Sequence, residues 1–239
     1  MNYIGIDISI NSTAIFIENK NGNMEILSFT NKKENNIYIK ELSNCGVKFF
    51  HISRIKSENY SENEILKIKH YMNMSNLIIS EILKIIDIGD KTYCQIEGYS
   101  FSKNTSSILD IVSLSTLIRS NLIELIPNIE ISIISPSSLK LETCKLVYGL
   151  KNVGKKKPKY ESFNNEGVKG GSFKKPQMFR SMIEGNIKTP ILKMINSYKD
   201  LMNREKIPNP IEDIIDATFA CKIKIKEIND FRWKNYNRC

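Results

Sequence analysis

The sequence predicts an α/β fold in which one mixed five-stranded sheet carries helices on both faces. Three observations lead to this prediction. Apolar residues alternate with polar ones in short segments near the N-terminus, and strand-like segments then alternate with segments of helical periodicity. The composition, with 41% hydrophobic and 26% charged residues, is ordinary for a globular chain. A single sheet with helices packed against it satisfies this order of elements.

The first three strands form an antiparallel unit. In the opening segment MNYIGIDISI the isoleucines alternate with small or polar residues, so a strand would place them on one face and Asp7 on the other. Residues 13–18 and 24–30 have the pattern of two further strands, and Asn21-Gly22 between them is a strong hairpin-turn signal. A carboxylate on a strand is costly to bury, so Asp7 needs a partner or a metal ion.

The following segments alternate between helix and strand. Ser61-x-x-Glu64 has the form of a capping box ahead of a long helix that reaches Ile86, whereas 31–56 is less regular and contains strand-like pieces such as KFFHISRI. The later elements are a strand at 92–97, a helix at about 106–126, a strand at 129–134, a helix from Pro136 to about Val147, a helical segment from Pro176 with a break near Pro190, and a last helix from Pro210 to about Ile228.

One segment interrupts this pattern. Residues 149–175 are rich in glycine and lysine and lack periodicity, which predicts a mobile basic loop within a single domain that spans 1–239. Its lysines would suit the phosphates of a nucleic acid, although a solvated loop that binds no DNA fits equally well. The lysines that we consider as DNA contacts are Lys155, Lys156, Lys157 and Lys174.

The charge balance favours an anionic partner. Lys and Arg number 35 against 26 Asp and Glu, a net charge of +9, which points to nucleic acid, although a solvated basic surface is an equally good interpretation. The cysteines form no Cys-x-x-Cys pair, which argues against a zinc site or a disulfide framework. No apolar stretch is long enough to span a bilayer. We therefore expect an intracellular, cytoplasmic protein with no membrane partner.

Acidic residues stand at the ends of predicted elements. Asp7 and Glu97 end two strands, and Asp213 and Asp216 are three residues apart and share one helix face. If the two strands are neighbours and the last helix crosses them, these carboxylates converge. Such oxygen ligands suit Mg²⁺ or Mn²⁺, and two ions about 4 Å apart can clamp both the attacking and the leaving oxygen of a phosphodiester. Taken singly, each acid is better explained as a turn residue, a surface residue or a helix cap. Their joint occurrence in this order of strands favours the metal site.

Five short motifs occur in the order of a known family. They are IGIDISINSTA with Asp7, QIEGYSFSKNTSS with Glu97 and Asn104, ISPSSLK with Lys140, GGSFKKPQM with Lys175, and EDIIDATFA with Asp213 and Asp216. On these motifs the sequence resembles the RuvC-like Holliday junction resolvases of the RNase H-like superfamily. The longer chain and the expanded regions 28–60 and 149–175 fit a viral, phage or organellar branch of the family, and the bias toward Asn, Ile and Lys suggests an AT-rich genome.

The resemblance implies a fold, an activity and roles for particular residues. It implies an RNase H-like fold and a homodimer that resolves four-way DNA junctions by paired symmetric nicks, with no small-molecule cofactor. The acids would hold two Mg²⁺ (or Mn²⁺) ions, and Lys140 or Lys175 would offset charge on the scissile phosphate. Tyr99 and Phe101 are candidate wedges against a base pair at the junction, and Asn104 lies at the start of the following helix.

Parts of the sequence also suggest two other functions. GIDISINSTA also resembles the first phosphate loop of sugar- and acetate-kinase-like ATPases, but that fold needs a second domain and a second glycine-rich loop. GLKNVGKK at 149–156 lacks the Ser or Thr and the flanking strand and helix of a phosphate-binding loop. A DNA-binding module that keeps the fold without cutting is the other alternative, against which the full set of acids argues. Neither histidine lies within an acidic motif, so histidine or zinc chemistry is not expected.

Overall fold

The computed structural model describes residues 1–53, 55–99, 105–148, 173–203 and 206–236. The strands are β1 (Asn2–Asp7), β2 (Ser12–Asn19), β3 (Met24–Thr30), β4 (Lys48–His51), β5 (Thr92–Glu97) and β6 (Ile129–Ile134). The α-helices are α1 (Ile37–Asn44), α2 (Tyr60–Leu83), α3 (Thr105–Leu125), α4 (Pro136–Tyr148), α5 (Lys175–Glu184), α6 (Leu192–Ser197) and α7 (Ile211–Tyr236), and a 3₁₀ turn covers Lys199–Asn203. In these described ranges no helix is both long and apolar enough to cross a bilayer.

The strands form one mixed sheet in the order β4-β3-β2-β1-β5-β6. The pairs β1–β2 and β2–β3 are antiparallel, whereas β1–β5, β5–β6 and β3–β4 are parallel. The mixed sheet is as predicted, but the strand count was wrong because β4 adds a sixth strand at the edge. This strand is the first half of the strand-like segment KFFHISRI, which the prediction did not count in the sheet. Its Phe50 is held by stacking on Phe29 at 4.8 Å between ring centroids. The short helix α1 was not predicted either.

The hairpin between β2 and β3 forms at the predicted turn. Gly22 has φ of 78°, a conformation in which a residue without Cβ is unstrained. The side-chain oxygen of Asn19 accepts the backbone N–H groups of Asn21 and Asn23 at 3.0 and 3.1 Å. This local capping fixes the register in which β2 and β3 pair.

A separate core lies on each face of the sheet. Ile4 and Ile6 of β1 belong to the core beneath α2 and α3, as the alternation predicted. Tyr3, on the opposite side of the same strand, belongs to the core formed with α4, α5, α6 and α7. Helices therefore cover both faces, and the odd-numbered positions of β1, including Asp7, point toward the α7 layer.

The helix boundaries differ from the predictions in two places. Helix α2 begins after Asn59, whose side chain accepts the backbone N–H of Glu62 at 3.0 Å, so the capping box predicted at Ser61 was wrong. Asn, like Ser, is a preferred N-cap, and the sequence pattern alone did not separate the two. The last helix, α7, continues to Tyr236, well beyond the predicted end near Ile228.

Candidate active site

The first two acids of the site come from neighbouring parallel strands. Ile6 of β1 lies opposite Ile96 of β5, and Asp7 and Glu97 are the last residues of their strands. Because side chains alternate along a strand, Asp7 and Glu97 both point away from the isoleucine side, toward α7. The sheet therefore places two carboxyl groups side by side at its carboxyl edge.

The close contact between α7 and β1 depends on Gly5. A Cβ atom at this position would lie 2.0 Å from the carbonyl oxygen of Ala217 and 2.5 Å from the backbone nitrogen of Cys221. Only glycine allows the two backbones to approach in this way. Sequence reasoning assigned no role to Gly5, although a glycine within an isoleucine-rich strand is a signal of close backbone approach.

Helix α7 brings the remaining acids to the strand ends. Its buried residues Ile214, Ile215 and Phe219 anchor it in the core, and Asp216 is fully buried. Carboxyl oxygens of Asp7, Glu97 and Asp216 all lie within 4.8 Å of one another. Asp213 lies beside this trio rather than within it, and its charge acts on Asp7.

The carboxyl groups are in an environment that opposes ionisation. Burial raises the pKa of Asp7 well above its usual range, and the charges of Glu97 and Asp213 raise it further. Burial likewise raises the pKa of Glu97, which shares a hydrogen bond with Asp7. The pKa of Asp213 rises to about 7, chiefly because of burial, with the nearby Ser12 hydroxyl and the charge of Lys175 opposing the rise. A cluster of this kind needs positive charge to ionise at neutral pH.

Several oxygens of the site are suited to a cation. Within the described ranges, Oδ1 of Asp216 and Oδ2 of Asp213 are buried without a hydrogen-bond partner, and Oδ2 of Asp216 is paired with the ammonium group of Lys175. A buried carboxylate oxygen is stable only when a donor or a cation satisfies it. Oxygen ligands in this number suit Mg²⁺ or Mn²⁺, and the donor set contains no Cys or His.

Two lysines lie beside the acids. Lys175 begins α5, where the backbone N–H of Lys174 donates to the Gln177 side chain at 2.8 Å and fixes the helix start. The ammonium group of Lys175 forms an ion pair with Asp216 and lies 3.4 Å from Glu212. Lys140, on α4, is close enough for its charge to lower the pKa of Glu97.

The structure describes only some of the residues that were predicted to contact DNA. Tyr99 is partly exposed just after Glu97, and the guanidinium of Arg119 lies 5.2 Å from the centre of its ring. Lys174 is exposed at the start of α5. Sequence reasoning missed Arg119, which carried no motif signal. Phe101, Asn104, Lys155, Lys156 and Lys157 lie outside the described residues.

Comparison with known proteins gives structural matches but no match in sequence. No protein-family model matches the chain, and no curated protein sequence matches it. The yeast mitochondrial Holliday junction resolvase Ydc2 matches with a TM-score of 0.50 and 10% identity, over 99% of this chain and 85% of that one. This chain has a RuvC-like fold.

Two further structures are from Thermus thermophilus. RuvC in complex with a Holliday junction substrate matches with a TM-score of 0.43 and 7% identity, over 93% of this chain and 91% of that one. A second T. thermophilus RuvC structure matches with a TM-score of 0.43 and 8% identity, over 95% of this chain and 96% of that one. The sheet topology and the match to Ydc2 show that the α/β, RNase H-like fold predicted from the sequence is correct apart from the additional edge strand.

Proposed function

We propose that this chain is a single-domain, metal-dependent, structure-specific endonuclease that cuts branched DNA, most specifically a Holliday junction resolvase that makes paired symmetric nicks. The observation that carries the proposal is the group of three carboxyl groups within 4.8 Å at the carboxyl ends of β1 and β5. The RuvC-like fold and the net charge of +9 support the same function.

The acids fit a pair of divalent cations. Asp7, Glu97 and Asp216 would hold Mg²⁺ or Mn²⁺ together with Asp213, whose Oδ2 is buried without a hydrogen-bond partner in the described part of the chain. When bound, two such ions supply an activated water and stabilise the charge on the leaving oxygen of a phosphodiester.

The residues of the chain have separate tasks in this proposal. The acids hold their positions because β1, β5 and α7 are packed in a rigid core, so little reorganisation is needed when substrate binds. Lys140 and Lys175 place positive charge next to the carboxylates, where a scissile phosphate would carry negative charge. Breaking the bond between the phosphorus and the 3′ oxygen would leave a 5′ phosphate and a 3′ hydroxyl.

Contacts with DNA outside the acid cluster belong to the proposal as well. Tyr99 lies two residues after Glu97 and is only partly buried, so it could stack on a base at the junction centre. Lys174 is exposed beside the catalytic candidate Lys175. We also assign DNA contacts to Phe101, Asn104, Lys155, Lys156 and Lys157 on the basis of sequence.

A homodimer would supply two active sites, and the paired helices α2 and α3 offer a surface for it. None of residues 60–70 or 108–113 is buried. Three large apolar residues among them, Ile65, Ile68 and Leu109, are more than half exposed. With Met72 at 48% exposure, these residues define an apolar α2–α3 face. Exposed apolar residues in a cluster mark an interaction site.

The position and charge of this face favour a second copy of the chain over DNA. Helix α3 connects the carboxyl end of β5 to the amino end of the parallel strand β6, so its N-terminal half lies at the same edge as Glu97. Acids and lysines are balanced along residues 60–72, in contrast with the basic character of the whole chain. Dimerisation there would bring two acid clusters to one DNA molecule.

A cleavage assay tests the proposed activity. The protein is incubated with a labelled immobile four-way junction, a Y-fork, a linear duplex and an RNA–DNA hybrid, each with Mg²⁺ or with EDTA. We expect Mg²⁺-dependent cutting of the junction at symmetric positions, far above that of the duplex. Equal cutting of all substrates would indicate a general nuclease, and binding without cutting would indicate a DNA-binding module.

A further inference from the structure

The ammonium group of Lys175 lies among the acids that are proposed to hold metal. It forms ion pairs with Asp216 and with Glu212, at 3.4 Å from the latter. Its charge also lowers the pKa values of Asp7, Glu97 and Asp213, so it acts on every acid of the cluster. The side chain is 25% exposed, whereas its partner Asp216 is fully buried.

A buried group of carboxylates is unstable without a positive charge. In the absence of a divalent cation, Lys175 supplies the positive charge nearest to Asp216 among the ion pairs of the described chain. A divalent cation bound by the same carboxylate would repel the ammonium group strongly in this poorly solvated environment. The two cations therefore compete for Asp216.

We propose that Lys175 is the resident counter-ion of the metal-free acid cluster, that a divalent cation displaces it, and that Glu212 receives its ammonium group. This inference rests on the metal site of the proposed function. It adds that the cluster is occupied by a side chain before metal binds, and that Glu212 is a positioning residue for Lys175 rather than a metal ligand.

The position of Glu212 suits this role. It is four residues from Asp216 on α7, so the two acids lie on the same helix face, and it is not one of the three acids within 4.8 Å of one another. Its side chain is 27% exposed and already contacts the ammonium group. A lysine has a flexible four-carbon stem, so a movement from Asp216 to Glu212 needs no change in the backbone. Displaced in this way, Lys175 stays beside the site where it can meet a phosphate.

Metal affinity measures the competition directly. Mn²⁺ binding is measured by calorimetry without DNA at pH 8.5, where protons compete least with metal. Lys175→Met removes the competing cation, and Lys174→Met makes the same change at the exposed neighbouring position. We expect Lys175→Met to bind Mn²⁺ at least about 10-fold more tightly than wild type. In this variant no ammonium group has to leave Asp216 before the metal ion binds. Lys174→Met should bind as wild type does. Unchanged or weaker binding by Lys175→Met overturns the proposal.

A double-mutant cycle separates the role of Glu212 from that of a metal ligand. If Glu212 receives Lys175, Glu212→Gln weakens Mn²⁺ binding more in the wild-type background than in the Lys175→Met background, where only its charge on Glu97 and Asp213 is lost. If Glu212 is a ligand, the substitution weakens binding equally in both backgrounds, and that part of the inference is wrong.

Thermal unfolding gives a second measurement on the same variants. In EDTA at pH 8.5, Lys175→Met should have a lower Tm than wild type and Lys174→Met, because the acids then lack their counter-ion. The rise in Tm on adding Mn²⁺ should be larger for Lys175→Met than for wild type. Equal Tm values in EDTA and equal rises would contradict the exchange.

Failure of the underlying metal site gives a different result. If wild type binds no Mn²⁺, or if Asp216→Asn binds it as well as wild type, the proposed function loses its metal site. If wild type binds Mn²⁺ through Asp216 and Lys175→Met has no higher affinity, only the exchange is wrong.

Discussion

Asp216 is the residue on which the site depends most directly, because its carboxyl group is fully buried and contacts both the other acids and Lys175. We predict that Asp216→Asn and Asp7→Asn each lower the rate of junction cleavage by more than about 100-fold, a larger effect than loss of a residue that only orients a ligand. Junction affinity should change by no more than a few-fold, because phosphate contacts dominate binding. Single-turnover cleavage and gel-shift titration measure the two effects.

Asp230 provides a matched control for these variants. It lies on the same helix as Asp216, but it is exposed and pairs with Lys226 at 2.7 Å on the surface. Asp230→Asn should cut the junction at the wild-type rate. A wild-type rate in Asp7→Asn or Asp216→Asn would remove that residue from the catalytic set.

Asp213 predicts a pH dependence of stability. Burial raises its pKa to about 7 in the folded chain, against about 3.9 for an unfolded Asp, so the folded state holds this proton more tightly. Between these pH values the Asp213 carboxyl group is protonated in the folded chain and ionised in the unfolded chain. The free energy of unfolding of the metal-free protein therefore falls as pH rises from about 4 to 7. Urea unfolding in EDTA at pH 5 and pH 7.5 measures the fall.

Two comparisons identify Asp213 as the source of the effect. Added Mg²⁺ should restore part of the stability at pH 7.5, because it replaces the lost proton. Asp213→Asn should reduce the dependence on pH but not remove it, since the raised pKa of Asp7 acts in the same direction. A variant with the full wild-type dependence would show that Asp213 titrates normally.

The sequence could indicate some of these residues and not others. Asp7 and Glu97 end strands whose alternation is visible in the sequence, and Asp213 and Asp216 share a helix face by spacing alone. The contact of Glu212 with Lys175 and that of Arg119 with Tyr99 join segments far apart in the chain. No periodic pattern encodes such contacts, so they required the folded structure.

At the level of elements, the packing of α7 on β1 determines where two of the acids lie. We predict that Gly5→Ala lowers the free energy of unfolding by about 1–3 kcal/mol, because its Cβ would overlap the backbone of Ala217 and Cys221. It should also weaken Mn²⁺ binding, since α7 must move and carry Asp216 away from Asp7. Calorimetry measures the affinity, and urea unfolding measures the stability.

Gly89 is the control for the effect of alanine itself. An added Cβ at Gly89 would meet only the side chain of Asp87, at an ordinary distance of 3.5 Å. Gly89→Ala should therefore keep the stability and the Mn²⁺ affinity of the wild type. Reduced stability of Gly5→Ala with unchanged affinity would show that the glycine serves packing alone.

The elements themselves were predictable to different degrees. The strands β1, β2, β3 and β6 showed clear alternation or turn signals, and their bounds differ from the prediction by at most one or two residues. Strand β4 and helix α1 are short and depend on packing against their neighbours, as the stacking of Phe50 on Phe29 shows. Tertiary contacts, rather than local sequence preference, decide such short elements.

For the whole molecule, paired nicking requires two active sites in one complex. We predict that the protein runs as a dimer of about twice its 27.5 kDa chain mass in analytical ultracentrifugation. Ile68→Glu on the apolar α2–α3 face should shift it to monomer, because a charge there would be buried in the interface. Ile37→Glu, at a residue of 59% exposure on α1, should remain dimeric.

A cruciform plasmid then reports whether both nicks occur in one complex. Wild type should give mainly linear DNA, whereas mixed dimers with one Asp7→Asn subunit should give nicked circles. A monomer that cuts linear duplex as readily as a junction would exclude the resolvase and leave a general nuclease.

The excess of positive charge predicts a salt effect. Replacing Lys155, Lys156 and Lys157 with alanine should weaken DNA binding and make the slope of log affinity against log salt shallower by about 0.9 for each lost phosphate contact. The control replaces three exposed lysines at the end of the sheet away from Asp7 and Glu97, namely Lys20, Lys84 and Lys91. If both triple variants have the same slope, residues 155–157 do not contact phosphates.

The site is built from segments far apart in the chain, and this affects when a newly made chain can act. Strand β1 ends at Asp7, whereas Asp213 and Asp216 lie on the last helix. A ribosome that has delivered β1 through α4 has produced all six strands of the described sheet but none of the α7 acids. Under the proposed function, the growing polypeptide lacks a complete metal site throughout most of its synthesis, so translation products that stop before α7 would not cut the nucleic acid around them.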